Sequence, residues 1–326
     1  MFGSSRDSRP LRRRLRPGLF LVCSVLVGIE VLIAALNFPF DVDAAPTEAQ
    51  LAASRKYYAE AYRAPASKQD SKASESETRY LRMAKATADY YHIEDQIRDF
   101  VNRFELRTRP VVEVGSGGGY LQDVAEDYTG LDISTEVSRY YHKRFVLGSA
   151  TAMPFPDNSF DGLWSIWVLE HVVGPEQALR EIRRVVRNGG VIFLLPAWNC
   201  NGWAAQGYSV RPCADFNMWG KVVKASLTVR ASDPYRAASR VPNRLLRTLA
   251  ASFGGPTTLH YCRLTPNYET YWQPDGDAVN SLDRHEVALW FRSRGDECLN
   301  YPISARAVFL RNGPLIVRVH KQQGER

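Results

Sequence analysis

The stretch Pro110-Val-Val-Glu-Val-Gly-Ser-Gly-Gly-Gly-Tyr120 constrains this chain more than any other. An apolar run that opens on a proline and closes on glycines reads as a short, buried parallel strand, ending in a tight turn and opening a helix at Leu121. Glycine lacks a Cβ, so the backbone can take positive φ and a ligand can lie almost against the main chain. Both properties serve a nucleotide-like molecule crossing a strand tip. A plain turn uses the same glycines, so the stretch needs support from elsewhere.

About twenty residues on, Gly130-Leu-Asp-Ile-Ser134 reads as a second parallel strand that ends in a carboxylate, Asp132. A carboxylate there accepts hydrogen bonds from a ribose diol. The spacing suits an adenosine better than a dinucleotide, because Tyr120 stands where the dinucleotide fingerprint wants glycine or alanine. Glu113, inside the first strand, costs free energy unless it is paired, either by a cationic ligand or by the N–H groups of the turn.

Glu113-Val-Gly-Ser-Gly-Gly-Gly119 followed by Gly130-Leu-Asp132 resembles the first two motifs of the class I S-adenosylmethionine-dependent methyltransferases. Met153-Pro-Phe-Pro-Asp-Asn-Ser-Phe-Asp161, Val168-Leu-Glu-His171 and Arg184-Val-Val-Arg-Asn-Gly-Gly190 resemble later segments of the small-molecule branch that includes the ubiquinone-biosynthesis methyltransferases. The likeness runs roughly from Val111 to Pro196, with a weaker tail at the C-terminus. It implies an α/β fold, a Rossmann-like doubly wound seven-stranded sheet with helices on both faces. It also implies S-adenosylmethionine as cofactor, bound by Glu113, Gly115, Ser116, Gly117, Gly119, Asp132, Ile133, Ser149 and Ala150. One departure stands out: relatives carry an Asp at the end of the third strand for the adenine amino group, and this chain has Gly148-Ser149-Ala150. A serine oxygen accepts that bond without the charge that strengthens it.

Between these motifs the chain alternates as a doubly wound domain should. Thr135 to Lys143 reads as a helix, Phe145 to Leu147 and Phe160 to Ile166 as strands, Pro175 to Arg187 as a helix, and Val191 to Leu195 as the fifth strand. The ligand then lies across the carboxyl ends of the strands, where their order reverses. Ahead of the sheet, an amphipathic pattern from Thr78 to Phe104 reads as helix; in the resembling family a helix here closes over the cofactor. Tyr90, Tyr91 and His92 either edge the site or serve packing and surface. Asp157 and Asp161 read as structural hydrogen-bond acceptors.

A sulfonium methyl is already activated, so an enzyme chiefly aligns the nucleophile and excludes water. An oxygen nucleophile also needs a base. His171 suits that role, or else it caps and packs the following helix; Glu170 beside it reads as facing solvent. Residues 197–281 are longer than an ordinary connection and mix aromatic side chains with arginines, as an acceptor pocket or a membrane-facing lid requires. Within it, Asp275 and Asp277 either orient an acceptor hydroxyl and take its proton, or belong to an ordinary Pro-Asp-Gly turn.

The N-terminus adds a second theme. A basic tail, residues 1–18, holds Arg6, Arg9, Arg12, Arg13, Arg14 and Arg16, and the apolar segment Leu19 to Phe38 is long enough to cross a bilayer as a helix. A signal peptide is the alternative. Glu30, midway along, costs roughly 2.5–3.5 kcal/mol at bilayer depth unless it is neutral or paired. Residues 39–77 read as a linker carrying one surface helix from Leu51 to Arg63, and Pro65 to Glu77 has a solvated composition. The arginine bias predicts that the domain is translocated, whereas the cofactor implied by the resemblance is cytosolic; the expectation is a single-pass anchor with the catalytic domain on the cytosolic face. The formal charge of +7 is concentrated in that tail, so nucleic acid is not an expected partner. Beyond Cys23, four cysteines permit two disulfides without requiring them, and no close CxxC pair marks a metal site.

The domains expected are therefore a core at 78–196, a substrate-binding insertion at 197–281, and a completion of the sheet at 282–326 through a helix from His285 to Arg294 and strands at Cys298 to Ile303 and Leu315 to His320. The expected activity is methyl transfer to oxygen or nitrogen of a small or lipid-linked acceptor. The alternative is a catalytically degenerate, membrane-tethered protein that only binds the cofactor; an oxidoreductase is the third reading.

Overall fold

In a computed structural model of the chain, the residues described are 17–36, 41–42, 47–63, 79–201, 205–267, 276–302 and 313–321. Helix α1 (Pro17–Leu36) and the two-residue strand β1 (Asp41–Val42) come first, followed by α2 (Glu48–Arg63), α3 (Arg79–Tyr90) and α4 (Ile93–Arg103). The helical pattern expected from Thr78 breaks between α3 and α4, where His92 takes φ +50°. Strands β2 (Val111–Val114), β3 (Tyr128–Asp132), β4 (Arg144–Leu147) and β5 (Phe160–Ile166) precede α5 (Pro175–Val185) and β6 (Val186–Leu195). The insertion holds α6 (Met218–Arg230), α7 (Asp233–Ser252), β7 (His260–Arg263) and β8 (Asn280–Ser281). The chain closes with α8 (Arg284–Arg292), β9 (Glu297–Cys298) and β10 (Leu315–Arg318).

The large sheet has the order β4-β3-β2-β5-β6-β10-β9. Its first five members are parallel, and β10 is antiparallel to both β6 and β9. The doubly wound expectation holds, and the order reverses between β2 and β5. Side chains alternate across the strands. Val112, Val114, Leu131, Leu163 and Leu179 join Trp290 and Phe291 in one core cluster, while Val111, Trp164, Val191 and Phe193 join Ile97, Phe100 and Val101 of α4 in the other.

Two expected helices are only short 3-10 turns, at Gln122–Val124 and Thr135–Tyr140. The glycine turn leaves too little chain before β3 for a full crossover helix, which normally takes a dozen residues or more in all. Cys200, Cys213, Cys262 and Cys298 are all free thiols. Among the described residues no cluster of three metal-ligating side chains occurs.

The apolar N-terminal segment forms α1, and the side chain of Glu30 lies outside the described residues. The expected bilayer crossing gains no support here, since among the described residues no helix is long and apolar enough to cross a membrane. Helix α1 lies against α7. Helix α7 is inverted relative to an ordinary surface helix: Ser239, Asn243 and Arg244 are buried, while Leu245, Leu246, Leu249 and, just past its end, Phe253 face outward.

Candidate active site

The turn after β2 is built as its glycines predict. Gly115, Gly117 and Gly119 take φ of +72°, +49° and +70°, in the left-handed region that favours glycine. A Cβ on Gly115 would lie 2.2 Å from Val168 Cγ2, so the close approach of the β2 and β5 tips requires a glycine as well. The turn is tied to β3 by the Gly115 and Ser116 N–H groups, which donate to the Leu131 carbonyl at 2.8 and 3.1 Å. The Gly117 N–H donates to Asp132 Oδ2 at 2.9 Å, and the Ser134 N–H donates to Asp132 Oδ1 at 3.0 Å. Asp132 is thus a clamp between turn and strand, with lone pairs left to face a ligand. Burial pushes its carboxyl above the usual range, against the opposing backbone N–H bonds.

A cavity opens at these strand ends. Gly115, Asp132, Ile133, Ser149 and Ala150 line one side and His171 the other, so five of the expected cofactor residues meet the expected base. Glu113, Ser116, Gly117 and Gly119 do not line it; they support the turn from behind. Pairing of Glu113 by a ligand or by turn N–H groups is corrected. Alternation along β2 puts Glu113 on the Val111 face, beneath α4, where its Oε2 accepts from the Tyr128 hydroxyl at 2.5 Å. Burial there raises its pKa to about 8, with the tyrosine bond opposing. The Ser149 hydroxyl, expected to face adenine, is 2.9 Å from Thr151 Oγ1 and accepts from the Thr151 N–H at 3.2 Å. Thr151 also lines the cavity and was not foreseen.

His171 belongs to a 3-10 turn after β5, Leu169–His171. Its Nδ1 is 3.4 Å from the Asp277 carbonyl oxygen and 3.6 Å from Asp277 Oδ2. Asp277 Oδ2 also accepts from the Tyr58 hydroxyl at 3.2 Å. The base and one acidic candidate therefore meet although they are far apart in sequence; the other candidate, Asp275, lies outside the described residues. Glu170 does not face solvent. It is 1% exposed, its Oε1 accepts from the Ala197 N–H at 3.0 Å, and it lies 3.8 Å from His171 Nε2. The cause is the tight turn, which folds Glu170 back under the end of β6.

The roof is aromatic. The surface helix expected at 51–63 exists as α2, but Ser54, Tyr58 and Tyr62 are buried. Tyr58, Tyr62 and Tyr80 line the cavity, and Tyr58 meets the His171 ring edge-on at 6.1 Å. Burial holds all three phenols well above the usual range, so they remain hydrogen-bond donors. Their signal in the sequence was the spacing of four between Ser54, Tyr58 and Tyr62, one helical face. Tyr90 and Tyr91 are exposed, Tyr91 meeting the cavity-lining Trp167 edge-on at 6.1 Å. Asp157 and Asp161 serve Arg184 and Arg187, as expected of structural acceptors.

Residues 112–194 match the family model of a methyltransferase domain. Over 93 residues the chain is 37% identical to the ubiquinone/menaquinone biosynthesis C-methyltransferase of Hahella chejuensis, a span covering 28% of this chain and 35% of that protein. It is 36% identical over 93 residues to the demethylmenaquinone methyltransferase of Renibacterium salmoninarum, covering 26% and 39%. The chain thus spans little more than a third of the relatives it matches. A solved S-adenosylmethionine-bound amino pentose methyltransferase from Micromonospora echinaspora is similar over 37% of this chain and 59% of that one, at 15% identity and a TM-score of 0.32, which carries no argument. The glycine cradle and the acid at the end of β3 both fall inside residues 112–194, the segment that is similar to a methyltransferase domain.

Proposed function

We propose that this protein transfers a methyl group from S-adenosylmethionine to an oxygen or nitrogen of a small or lipid-linked acceptor. One observation carries the reading: a single cavity sets Asp132 and the glycine turn opposite His171, whose ring Asp277 and Tyr58 hold in place. When bound, S-adenosylmethionine supplies an electrophilic methyl on a positively charged sulfur. No lysine or arginine lines the cavity among the described residues, and its wall carries a buried carboxylate, which suits a cation. His171, with Nδ1 toward Asp277 and Nε2 toward Glu170, takes the proton that the acceptor loses as it gains the methyl. The aromatic roof excludes water from that transfer.

We further propose that the enzyme works at a membrane, held there through α1, with its catalytic domain on the cytosolic face. The apolar outer side of α7, against which α1 lies, supports this reading. The test incubates the full chain with methyl-labelled S-adenosylmethionine and fractionated membranes. Label is expected in an extractable product, absent with Asp132→Ala and strongly reduced with His171→Asn. Tight cofactor binding by calorimetry with no label in any fraction overturns the enzyme reading in favour of the degenerate binder. For sidedness, protease added to intact cells should leave the domain whole; cleavage contradicts the cytosolic placement.

A further inference from the structure

A second cavity lies within the insertion, between α6 and α7 on one side and β7 and the start of α8 on the other, away from the glycine turn. Its wall from α6 and α7 carries Arg230, Arg236, Arg240 and Arg244, and its opposite wall includes His260 of β7 and the carboxylates Asp283 and Glu286. On α7 the arginines at 236, 240 and 244 recur every four residues, on one helical face, which runs from exposed at Arg236 through half-buried at Arg240 to buried at Arg244.

The charges do not cancel. Asp283 is taken by Arg244, whose Nε and Nη2 donate to it at 3.0–3.2 Å. Glu286 is taken by Arg247, whose Nε donates at 2.8 and 3.1 Å. Arg236 has only the surface carboxylate Asp233, at 3.7 Å with that acid 90% exposed, and such a pair is worth little. Arg240 makes no hydrogen bond and no ion pair among the described residues. Burial, with Arg244 and Arg236 nearby and Asp283 opposing, holds its guanidinium below the ordinary value. A half-buried cation in that position calls for an anion from outside the chain.

We infer that this second cavity is a binding site for a phosphate-bearing ligand, held by the guanidinium groups of Arg236 and Arg240. Each guanidinium offers a planar fork that matches two phosphate oxygens. Two such forks lining one space fit a multiply charged phosphate or diphosphate better than a single carboxylate. The ligand is either a soluble phosphate ester or a lipid headgroup; both present the same group to the same arginines. The inference goes beyond methyl transfer and stands without it.

The test uses the full chain in detergent. Pyrophosphate, titrated calorimetrically at low salt, is expected to bind saturably. Arg240→Gln and Arg236→Gln should each weaken it about tenfold or more, while Arg318→Gln, a partly exposed side chain on β10 outside the cavity, leaves it unchanged. The thermal midpoint of each variant reports folding independently of any cofactor. In a second arm, flotation compares phosphatidylcholine vesicles with vesicles that also contain phosphatidic acid. A preference for phosphatidic acid that Arg240→Gln abolishes assigns the site to a lipid headgroup. Pyrophosphate binding without that preference assigns it to a soluble ester. Absence of both pyrophosphate binding and phosphatidic acid preference overturns the inference, as does pyrophosphate affinity that folded Arg236→Gln and Arg240→Gln variants leave intact. S-adenosylmethionine titrated in parallel tests the other cavity alone, so failure of one reading is not failure of the other.

Discussion

The two cavities differ in the charge that lines them. Around the sheet-end cavity the buried ionisable groups are carboxylates: Asp132 in its wall, Asp277 and Glu170 against His171, and Glu113 beneath the turn. Asp132 is held by backbone N–H groups and Glu113 by a phenol rather than by cations. The cavity under α7 is the reverse, with arginines outnumbering the acids that could neutralise them. An acid buried without a counter-cation prepares a place for positive charge, and a buried guanidinium without a carboxylate prepares one for negative charge. One chain therefore carries two unlike cavities, the first on strand tips fixed by a motif and the second on helices of an insertion.

The contrast can be broken at four points, taken from the largest effect down. Gly115→Ala should cost about 3 kcal/mol or more, since it combines a left-handed φ with a clash on Val168; a Tm within error of the parent would show that the strand tips give way easily. Glu113 offers a pH test. Its folded pKa, about 8, lies above its unfolded value, so the unfolded chain holds fewer protons in between, and stability falls as pH rises from about 5 to 8. Glu113→Gln should lose less over that window, by a few kcal/mol, in urea unfolding at several pH values. Parallel curves for the two proteins would mean that the carboxyl is solvated.

Asp132→Ala should weaken S-adenosylmethionine binding about 100-fold in calorimetry, the loss expected when a buried charged acceptor is removed. Unchanged affinity would shift the recognition to Ser149 and Thr151. Finally, Tyr58→Phe, which removes only the hydroxyl that donates to Asp277, should lower kcat about tenfold with little change in cofactor affinity. An equal loss in both would make α2 a roof for the cofactor rather than a support for the base.

The sheet was legible because its information is local. A buried strand, glycines at left-handed positions and an acid at the next strand tip are each dictated by a few neighbouring residues, and the order of seven strands follows from the resemblance those motifs carry. The helices at Leu121 and after Ser134 were over-read because hydrophobic periodicity does not report how little chain the turn leaves. Tyr58 and Tyr62 were missed for another reason. They sit among Lys56, Glu60 and Arg63 in a stretch of polar composition, and contacts outside the helix explain their burial, Tyr58 with His171 and Asp277 and Tyr62 with Tyr80 in the cluster that holds Leu81 and Val137. Glu170 was misjudged on the same ground. Local sequence gives it no partner, and its N–H donor comes from Ala197 on the far side of α5 and β6.

Gly115 and Val168 occupy what is in effect one shared volume, and this leaves a trace that can be sought beyond this molecule. Shrinking residue 168 frees space at 115 but does not relieve the left-handed backbone, so no compensating pair of changes is open to the two positions. Across related chains they should therefore vary independently, glycine holding at the first site while the second drifts among side chains small enough to clear it.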